Sequence, residues 1–159
     1  MGSNPHREYI QPPFCFYKNV LDNYKYKITY IISENKYNPV IDKILNKYPN
    51  IVYNINSLKI DICYLLNAYN LVGGGISSFF YEIILLNNNI KNFWEYIFFK
   101  KPSKNGINAT FHSFKSRDNR KYIMYSNNDY YQKIKPWTNN QSQRDLMIND
   151  NCSNSFIVI

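Results

Sequence analysis

The sequence contains no apolar run long enough to cross a membrane. A spanning helix needs about 18 or more consecutive apolar residues, and the 159-residue chain has no such stretch. Its first residues, MGSNPHREY, also lack the apolar core of a secretory signal peptide. We therefore expect no transmembrane segment in this chain, and the residues themselves specify no compartment.

Metal-binding and disulfide motifs are also missing. The three cysteines, Cys15, Cys63 and Cys152, form no CxxC pair, and their number is odd. Structural zinc sites and disulfide frameworks use paired, regularly spaced cysteines, so the sequence favours neither. Cys63 falls within an apolar helical stretch and is predicted to be a small core residue. His6 and His112 have no partner at catalytic or metal-binding spacing. We expect no metal, and the pattern identifies no catalytic residue.

Hydrophobic and aromatic residues are abundant enough for one folded domain. They make up 45% and 18% of the chain, which is far more than a disordered protein contains. A length of 159 residues is sufficient for a single core. The composition therefore predicts a globular domain.

Positive charge is concentrated in one segment. Nine Lys and Arg residues face two Asp residues between Lys100 and Lys135, which gives +7 of the total +8. Such a segment could hold nucleic acid, a membrane surface or a phosphate-bearing ligand, or it could be a solvated basic surface. Aromatic residues alternate with the basic ones up to Tyr131, as in RNA-binding segments. Because the whole chain is rich in Tyr and Lys, nucleic-acid binding is the less favoured hypothesis.

The hydrophobic pattern alternates between helices and strands. Pro12 and Pro13 precede a helix, and KYKITYIIS (25–33) predicts a buried central strand. The order of elements that follows predicts an α/β fold, with a parallel sheet and helices on both faces, in a Rossmann-like arrangement. We assign residues 1–11 to a loop, 12–99 to a Rossmann-like domain and 100–159 to a basic extension that packs on the same domain. The elements predicted after the first strand are a helix capped by Asn38, strand NIVY (50–53), a helix from 58 to 68 capped by Ser57, strand NLVG (70–73), a helix from 77 or 78 to 86, strand KNFWEYIFF (91–99), short strands GINATFHSF (106–114) and KYIMY (121–125), helix QSQRDLMIND (141–150) and an edge strand or tail FIVI (156–159).

A glycine-rich turn between a strand and a helix is the main candidate binding site. Gly73, Gly74 and Gly75 let a ligand approach the backbone, and Ser77 and Ser78 offer hydroxyl groups at the helix start. The turn follows a predicted strand, and ligands of parallel sheets bind at the carboxyl ends of strands. It matches neither GxGxxG nor a P-loop, because no GKS or GKT follows. The alternative is a tight connection with a serine cap.

Asp61 is a second candidate, one turn into the preceding helix. Its carboxylate could accept hydrogen bonds from a base or a ribose at the same end of the sheet. The alternative is a favourable interaction with the helix dipole, since acidic residues stabilise helix N-termini.

Three blocks of the sequence together resemble fucosyltransferase-like glycosyltransferases of the GT-B class, which include α-1,2-fucosyltransferases and protein O-fucosyltransferases. REYIQPPFCFY (7–17) resembles the first segment of that family, and the stretch from Asp61 through LLNAYNLVGGGISSFF resembles its nucleotide-sugar motif. PWTNNQSQRDLMINDNC (136–152) resembles the tail of divergent members. The likeness covers most of residues 8–100 and, more loosely, 136–152.

The resemblance implies a donor-binding domain for GDP-fucose, with a glycan or protein as acceptor, no metal and a place in the secretory pathway. Ser77, Ser78 and Phe79 would hold the phosphates and nucleoside, and Asp61 would contact the nucleoside. The family motif His-x-Arg-x-Gly-Asp is missing from the chain, in which His6 and Arg7 are adjacent. The chain thus resembles the donor-binding half of such an enzyme, truncated or degenerate. The alternatives are an inactive α/β remnant that acts through protein contacts and a basic nucleic-acid-binding domain.

Overall fold

A computed structural model of the chain describes residues 10–74, 78–97, 120–153 and 156–158. Within these ranges the protein is α/β, with six helices and six strands in two small sheets. No helix in these ranges is long and apolar enough to span a membrane. In chain order the elements are α1 (Phe14–Asn23), β1 (Thr29–Ile31), α2 (Pro39–Lys47), β2 (Ile51–Tyr53), α3 (Leu58–Asn67), β3 (Asn70–Gly73), α4 (Ser78–Leu86), β4 (Asn92–Ile97), β5 (Lys121–Ser126), α5 (Asn128–Ile134), α6 (Gln141–Asn149) and β6 (Phe156–Val158).

The strands form one parallel pair and one larger, mostly parallel sheet. β1 pairs with β2 in parallel, and the second sheet has the order β3-β4-β5-β6. Its β3, β4 and β5 are parallel, whereas β6 runs antiparallel to β5. Parallel neighbours need crossover connections, which α2 supplies between β1 and β2 and α4 between β3 and β4. The predicted α/β class with parallel strands is therefore confirmed, although the strands form two small sheets instead of one.

Helices cover the strands on two faces. α1, α2 and α6 contact one another, and α3 contacts α4. Successive residues of β4 point to opposite faces, as the pleat requires. Trp94 and Tyr96 enter the core beneath the first group of helices, whereas Phe93 packs in the core beneath the second. Phe16 of α1 meets Tyr96 edge to face, with ring centroids 5.3 Å apart. Each helical layer thus has its own apolar core.

β1 and β3 belong to different hydrogen-bonded sheets, but residues of both regions pack against the same two cores. Ile31 of β1 and Val72 of β3 pack against the first core, and Ile32 and Leu71 belong to the second. The chain continues from β1 through α2 to its parallel partner β2, and from β3 through α4 to its parallel partner β4. The two crossovers therefore build separate parallel pairs.

Several local predictions are confirmed and others are wrong. Asn38 caps α2, because its Oδ1 accepts the Val40 N–H at 2.9 Å. Ser57 precedes α3 but makes no side-chain cap bond. The predicted buried central strand at 25–33 is wrong in length and position. β1 has three residues and pairs only with β2 among the described strands, and its Tyr30 is 43% exposed.

The cysteines also differ from expectation. Cys63 is exposed on α3, not buried, because the helix turns it away from the core that Leu65 enters. Cys15 and Cys152 form a disulfide across a separation of 137 residues. Spacing along the chain could not predict this pair, because only the packing of α1 against α6 brings the two residues together. The helix α5 was not predicted, and the predicted strand GINATFHSF lies outside the described residues.

Candidate functional site

A cavity of about 260 Å³ is lined by residues of α1, α2, β1 and the end of β3. The residues at the end of β1, Ile31, Ile32 and Ser33, form one side, and Val72 and Gly74 of the β3 end form another. The carboxyl ends of strands are where open α/β sheets bind ligands. The complete lining is Gln11, Tyr17, Val20, Leu21, Thr29 to Ser33, Asn38, Val40, Ile41, Ile44, Ile51, Val72 and Gly74.

The walls of the cavity are apolar and its polar groups are few. Val20 of α1 and Val40 and Ile44 of α2 are buried side chains that form the floor with β1 and β2. No Lys, Arg, Asp or Glu belongs to the lining that the structure describes. An apolar pocket with a few polar groups suits the ring of a base or a sugar better than it suits an isolated diphosphate.

Tyr17 connects the cavity to the glycine turn. A Cβ atom built on Gly74 would lie 2.5 Å from the Tyr17 hydroxyl oxygen, so this hydroxyl rests against the backbone of Gly74. Among the described residues none forms a hydrogen bond with it. Burial raises the pKa of Tyr17 above its ordinary value, so the hydroxyl stays protonated at neutral pH. Tyr17 is therefore a hydrogen-bond donor at the cavity edge.

Two further polar side chains of the lining are held by local bonds. The hydroxyl of Ser33 donates to the Asn35 carbonyl oxygen at 2.8 Å and lies 3.2 Å from the Tyr53 hydroxyl. Asn38 is engaged as the cap of α2. Because the Val40 and Ile41 N–H groups both bond to Asn38, the start of α2 offers a ligand few free donors. Short-range turn bonds thus hold these two side chains at the cavity.

The structure separates the residues that the sequence proposed as one site. Gly74 lines the cavity and is exposed, whereas Gly73 is buried within β3. A Cβ atom on Gly73 would lie 3.0 Å or less from three ring carbons of Phe80, so helix packing alone requires glycine there. Gly75 and Ser77 lie outside the described residues, and Ser78 is the first residue of α4.

Asp61 and Phe79 do not line the cavity. Asp61 lies in the first turn of α3, where its Oδ1 accepts a hydrogen bond from Asn56 at 3.2 Å. Phe79 is 42% exposed on α4. A ligand seated in the cavity would need to extend beyond it to reach either side chain.

Sequence reasoning missed the contribution of Gln11, Tyr17, Ser33 and Asn38. One signal was available, because the β1–α2 connection leaves the same end of a parallel sheet as the glycine turn does. The Asn-Pro helix start at Asn38 marked that connection. The role of α1 had no local signal, since Tyr17 reaches Gly74 only through tertiary packing.

A buried carboxylate lies on the opposite face of β4. Glu95 is 5% exposed, and its two oxygens accept hydrogen bonds from the hydroxyls of Tyr81, at 2.5 Å, and Tyr122. Burial raises the pKa of Glu95, although both tyrosine hydrogen bonds act to lower it. The three side chains join α4, β4 and β5 beneath the second helical layer. This group belongs to the core packing and not to the cavity.

The basic segment is described only from Arg120 onward. Arg120 donates a hydrogen bond to the Asn87 carbonyl oxygen at 3.1 Å, and Lys135 lies over the Tyr131 ring at 4.5 Å. These two charges are therefore engaged within the protein. Residues 98–119, which carry much of the remaining positive charge, lie outside the described ranges.

Comparisons of this chain with protein-family models, with curated proteins and with solved structures return no match. The functional conclusion therefore depends on the site itself.

Proposed function

We propose that this chain binds the nucleotide part of a nucleotide sugar in the cavity between β1 and β3, as the donor-binding domain of a glycosyltransferase. One observation carries the proposal: the cavity lining includes residues at the carboxyl ends of both strands, where open α/β sheets bind ligands. Because the segment from Asp61 to Phe80 resembles the nucleotide-sugar motif of fucosyltransferases, GDP-fucose is the first donor to test.

The proposed pose places a ring in the apolar cavity and the diphosphate at its open edge. Val20, Val40 and Ile44 would contact the base or ribose. The Tyr17 hydroxyl would donate to a ligand oxygen beside Gly74, where the backbone has no Cβ to block the approach. The diphosphate would then lie along the turn that leads to Ser78, at the start of α4.

The proposal concerns donor binding, with transfer as a separate step. A leaving diphosphate gains charge in the transition state, and arginine or lysine side chains usually stabilise it where no metal does. The cavity lining that the structure describes contains no such cation. Catalysis would therefore need cations that lie outside this lining.

Calorimetric titration of the purified chain with GDP, GDP-fucose and a single-stranded RNA tests the proposal. We expect saturable binding of both nucleotides and no binding of RNA at the same salt concentration. Absence of heat with either nucleotide at millimolar concentration would refute donor binding. Saturable RNA binding alone, with a strong dependence on salt, would favour the nucleic-acid hypothesis instead.

Two matched tyrosine variants locate the site. Tyr17→Phe removes only the hydroxyl beside Gly74 and should weaken nucleotide binding about 5- to 10-fold, the value of one hydrogen bond. Tyr37→Phe is the control, because Tyr37 is 77% exposed and lies outside the cavity lining. Equal affinities of the two variants would show that the ligand does not bind at the cavity edge.

A further inference from the structure

A second cluster of chemically reactive side chains lies away from the cavity, where α1 meets the end of α6. The ligand atoms of Cys15, Asp150 and Cys152 all lie within 4.8 Å of one another. Both cysteines are buried and Asp150 is half-buried. Cys15 is the second residue of α1, and Asp150 is the residue that ends α6. The packing of the two helices thus gathers two sulfurs and a carboxylate from distant parts of the sequence.

The redox state decides what this cluster can do. In the present structure Cys15 and Cys152 are joined as a disulfide, which offers no thiolate to a metal. A thiol or phosphine reductant supplies two electrons, the S–S bond breaks, and each sulfur takes up one proton while the reductant is oxidised. The product is a pair of buried thiols beside a carboxylate.

We propose that the reduced protein binds Zn²⁺ through Cys15, Cys152 and Asp150, with water in the fourth position. Binding would release the two thiol protons, because the thiolate is the ligand. Two soft sulfur ligands favour zinc over calcium or magnesium, which take oxygen ligands. The site is separate from the nucleotide cavity and does not depend on the function proposed for it.

The distances in the cluster agree with zinc geometry. Zinc binds thiolate at about 2.3 Å and carboxylate at about 2.0–2.2 Å, so two such atoms at the tetrahedral angle lie about 3.6 Å apart. The Sγ of Cys15 lies 3.3 Å from Oδ2 of Asp150. These two atoms already have nearly the separation that a shared zinc ion requires.

The carboxylate is already held in place by its neighbours. Oδ2 of Asp150 accepts the backbone N–H of Cys152 at 3.0 Å, and the Asn127 side-chain amide lies 3.5 Å away. Outer contacts of this kind orient a ligand before the metal arrives. Because Asn127 also caps α5, the cluster joins the ends of three helices. Disulfide and zinc would therefore give the same link between α1 and the segment after α6.

Metal titration of the reduced and oxidised full chain tests the site. Co²⁺ serves as the spectroscopic probe because its thiolate complexes absorb light, and Zn²⁺ is then measured by competition. We expect about one ion per reduced chain, with the native helical circular dichroism present in the bound state. The oxidised chain should bind none at this site. Equal binding by both redox forms, or binding without native circular dichroism, would overturn the proposal.

Cysteine variants identify the ligands. Cys15→Ser should lose more affinity than the roughly 10- to 100-fold that changes outside the ligand shell cost. Cys63→Ser is the matched control, since Cys63 is exposed on α3, and it should bind as the wild type does. Asp150→Asn keeps both thiols and the disulfide, so it tests the carboxylate in a chain that can still be cross-linked. Metal binding that survives Cys15→Ser or is lost in Cys63→Ser would refute this ligand set, as would unchanged affinity in Asp150→Asn.

Discussion

Replacing Gly73 with alanine should destabilise the protein, because the new methyl group would collide with Phe80. Gly73 is buried at the end of β3, and its Cβ position lies 3.0 Å or less from three carbons of the Phe80 ring. That ring packs against Phe93 of β4, with centroids 5.4 Å apart, so it cannot swing freely away. The methyl group must therefore displace α4 or the ring.

The magnitude follows from two opposing terms. Overpacking by a methyl group in a packed core costs about 1–3 kcal/mol. Alanine also restricts the unfolded chain more than glycine does, which stabilises the folded state by about 0.4–1 kcal/mol. The difference between the two is about 0–2.6 kcal/mol, and because the Cβ position lies so close to three ring carbons we expect Gly73→Ala to lower the free energy of unfolding by about 1–2 kcal/mol.

Urea denaturation provides the measurement, with the fluorescence of the two buried tryptophans, Trp94 and Trp137, as the signal. A double-mutant cycle with Phe80→Ala separates the collision from other effects of the substitution. In the Phe80→Ala background, where the ring is absent, Gly73→Ala should leave the free energy of unfolding unchanged or raise it slightly. The coupling free energy between the two sites should then be about 1–3 kcal/mol.

Two results would refute this reasoning. If Gly73→Ala lowered the free energy of unfolding by less than about 0.5 kcal/mol, its effect would be no larger than that of an ordinary surface substitution. Additive effects in the double mutant would show that Phe80 is not the obstacle. If Gly73→Ala instead kept full stability and lost nucleotide binding, Gly73 would serve the ligand and not the packing of α4.

The disulfide, the buried carboxylate and the α2 cap support three further predictions. In oxidising buffer, Cys15→Ser should lower the free energy of unfolding by up to about 5 kcal/mol, because the native bond spans 137 residues and restricts the unfolded chain. A urea midpoint equal to that of Cys63→Ser would contradict this. The raised pKa of Glu95 means that the fold favours its protonated form. This contribution to stability is complete below the ordinary carboxyl pKa and is lost as the pH rises through the raised value. Glu95→Gln should therefore flatten the dependence of the free energy of unfolding on pH in that window. If wild type and variant showed the same pH dependence there, Glu95 would not be its source. Asn38→Ala should cost about 1 kcal/mol by removing the cap bond, and Ser57→Ala, which breaks no such bond, less than about 0.5 kcal/mol. The opposite ranking in urea denaturation would show that the two caps are assigned wrongly.

Local elements could be predicted well because their signals are short-range. The proline pair predicted the start of α1, and the Asn-Pro pair predicted the start of α2. The change from NLVG to an apolar helical stretch predicted the strand before the glycines and the helix after them. Each of these signals depends on residues within a few positions of one another, which share the same backbone environment.

Partners distant in the chain could not be predicted in this way. The spacing of Cys15 and Cys152 gave no indication of a pair, and the helical position of Cys63 gave no indication of exposure. The stretch 25–33 was apolar enough for a central strand, but pairing reduced it to the three residues of β1. Pairing and burial depend on which elements meet, and that is a property of the whole chain.

The sequence by itself determined the α/β class, the order of its elements and the position of the glycine turn at the end of β3. The tertiary structure decided which side chains the turn meets. It placed Phe80 against Gly73 and the Tyr17 hydroxyl against Gly74, and it left Asp61 outside the cavity. The physical reason is that backbone preference acts over a few residues, whereas a binding site depends on packing between elements that are far apart in the sequence.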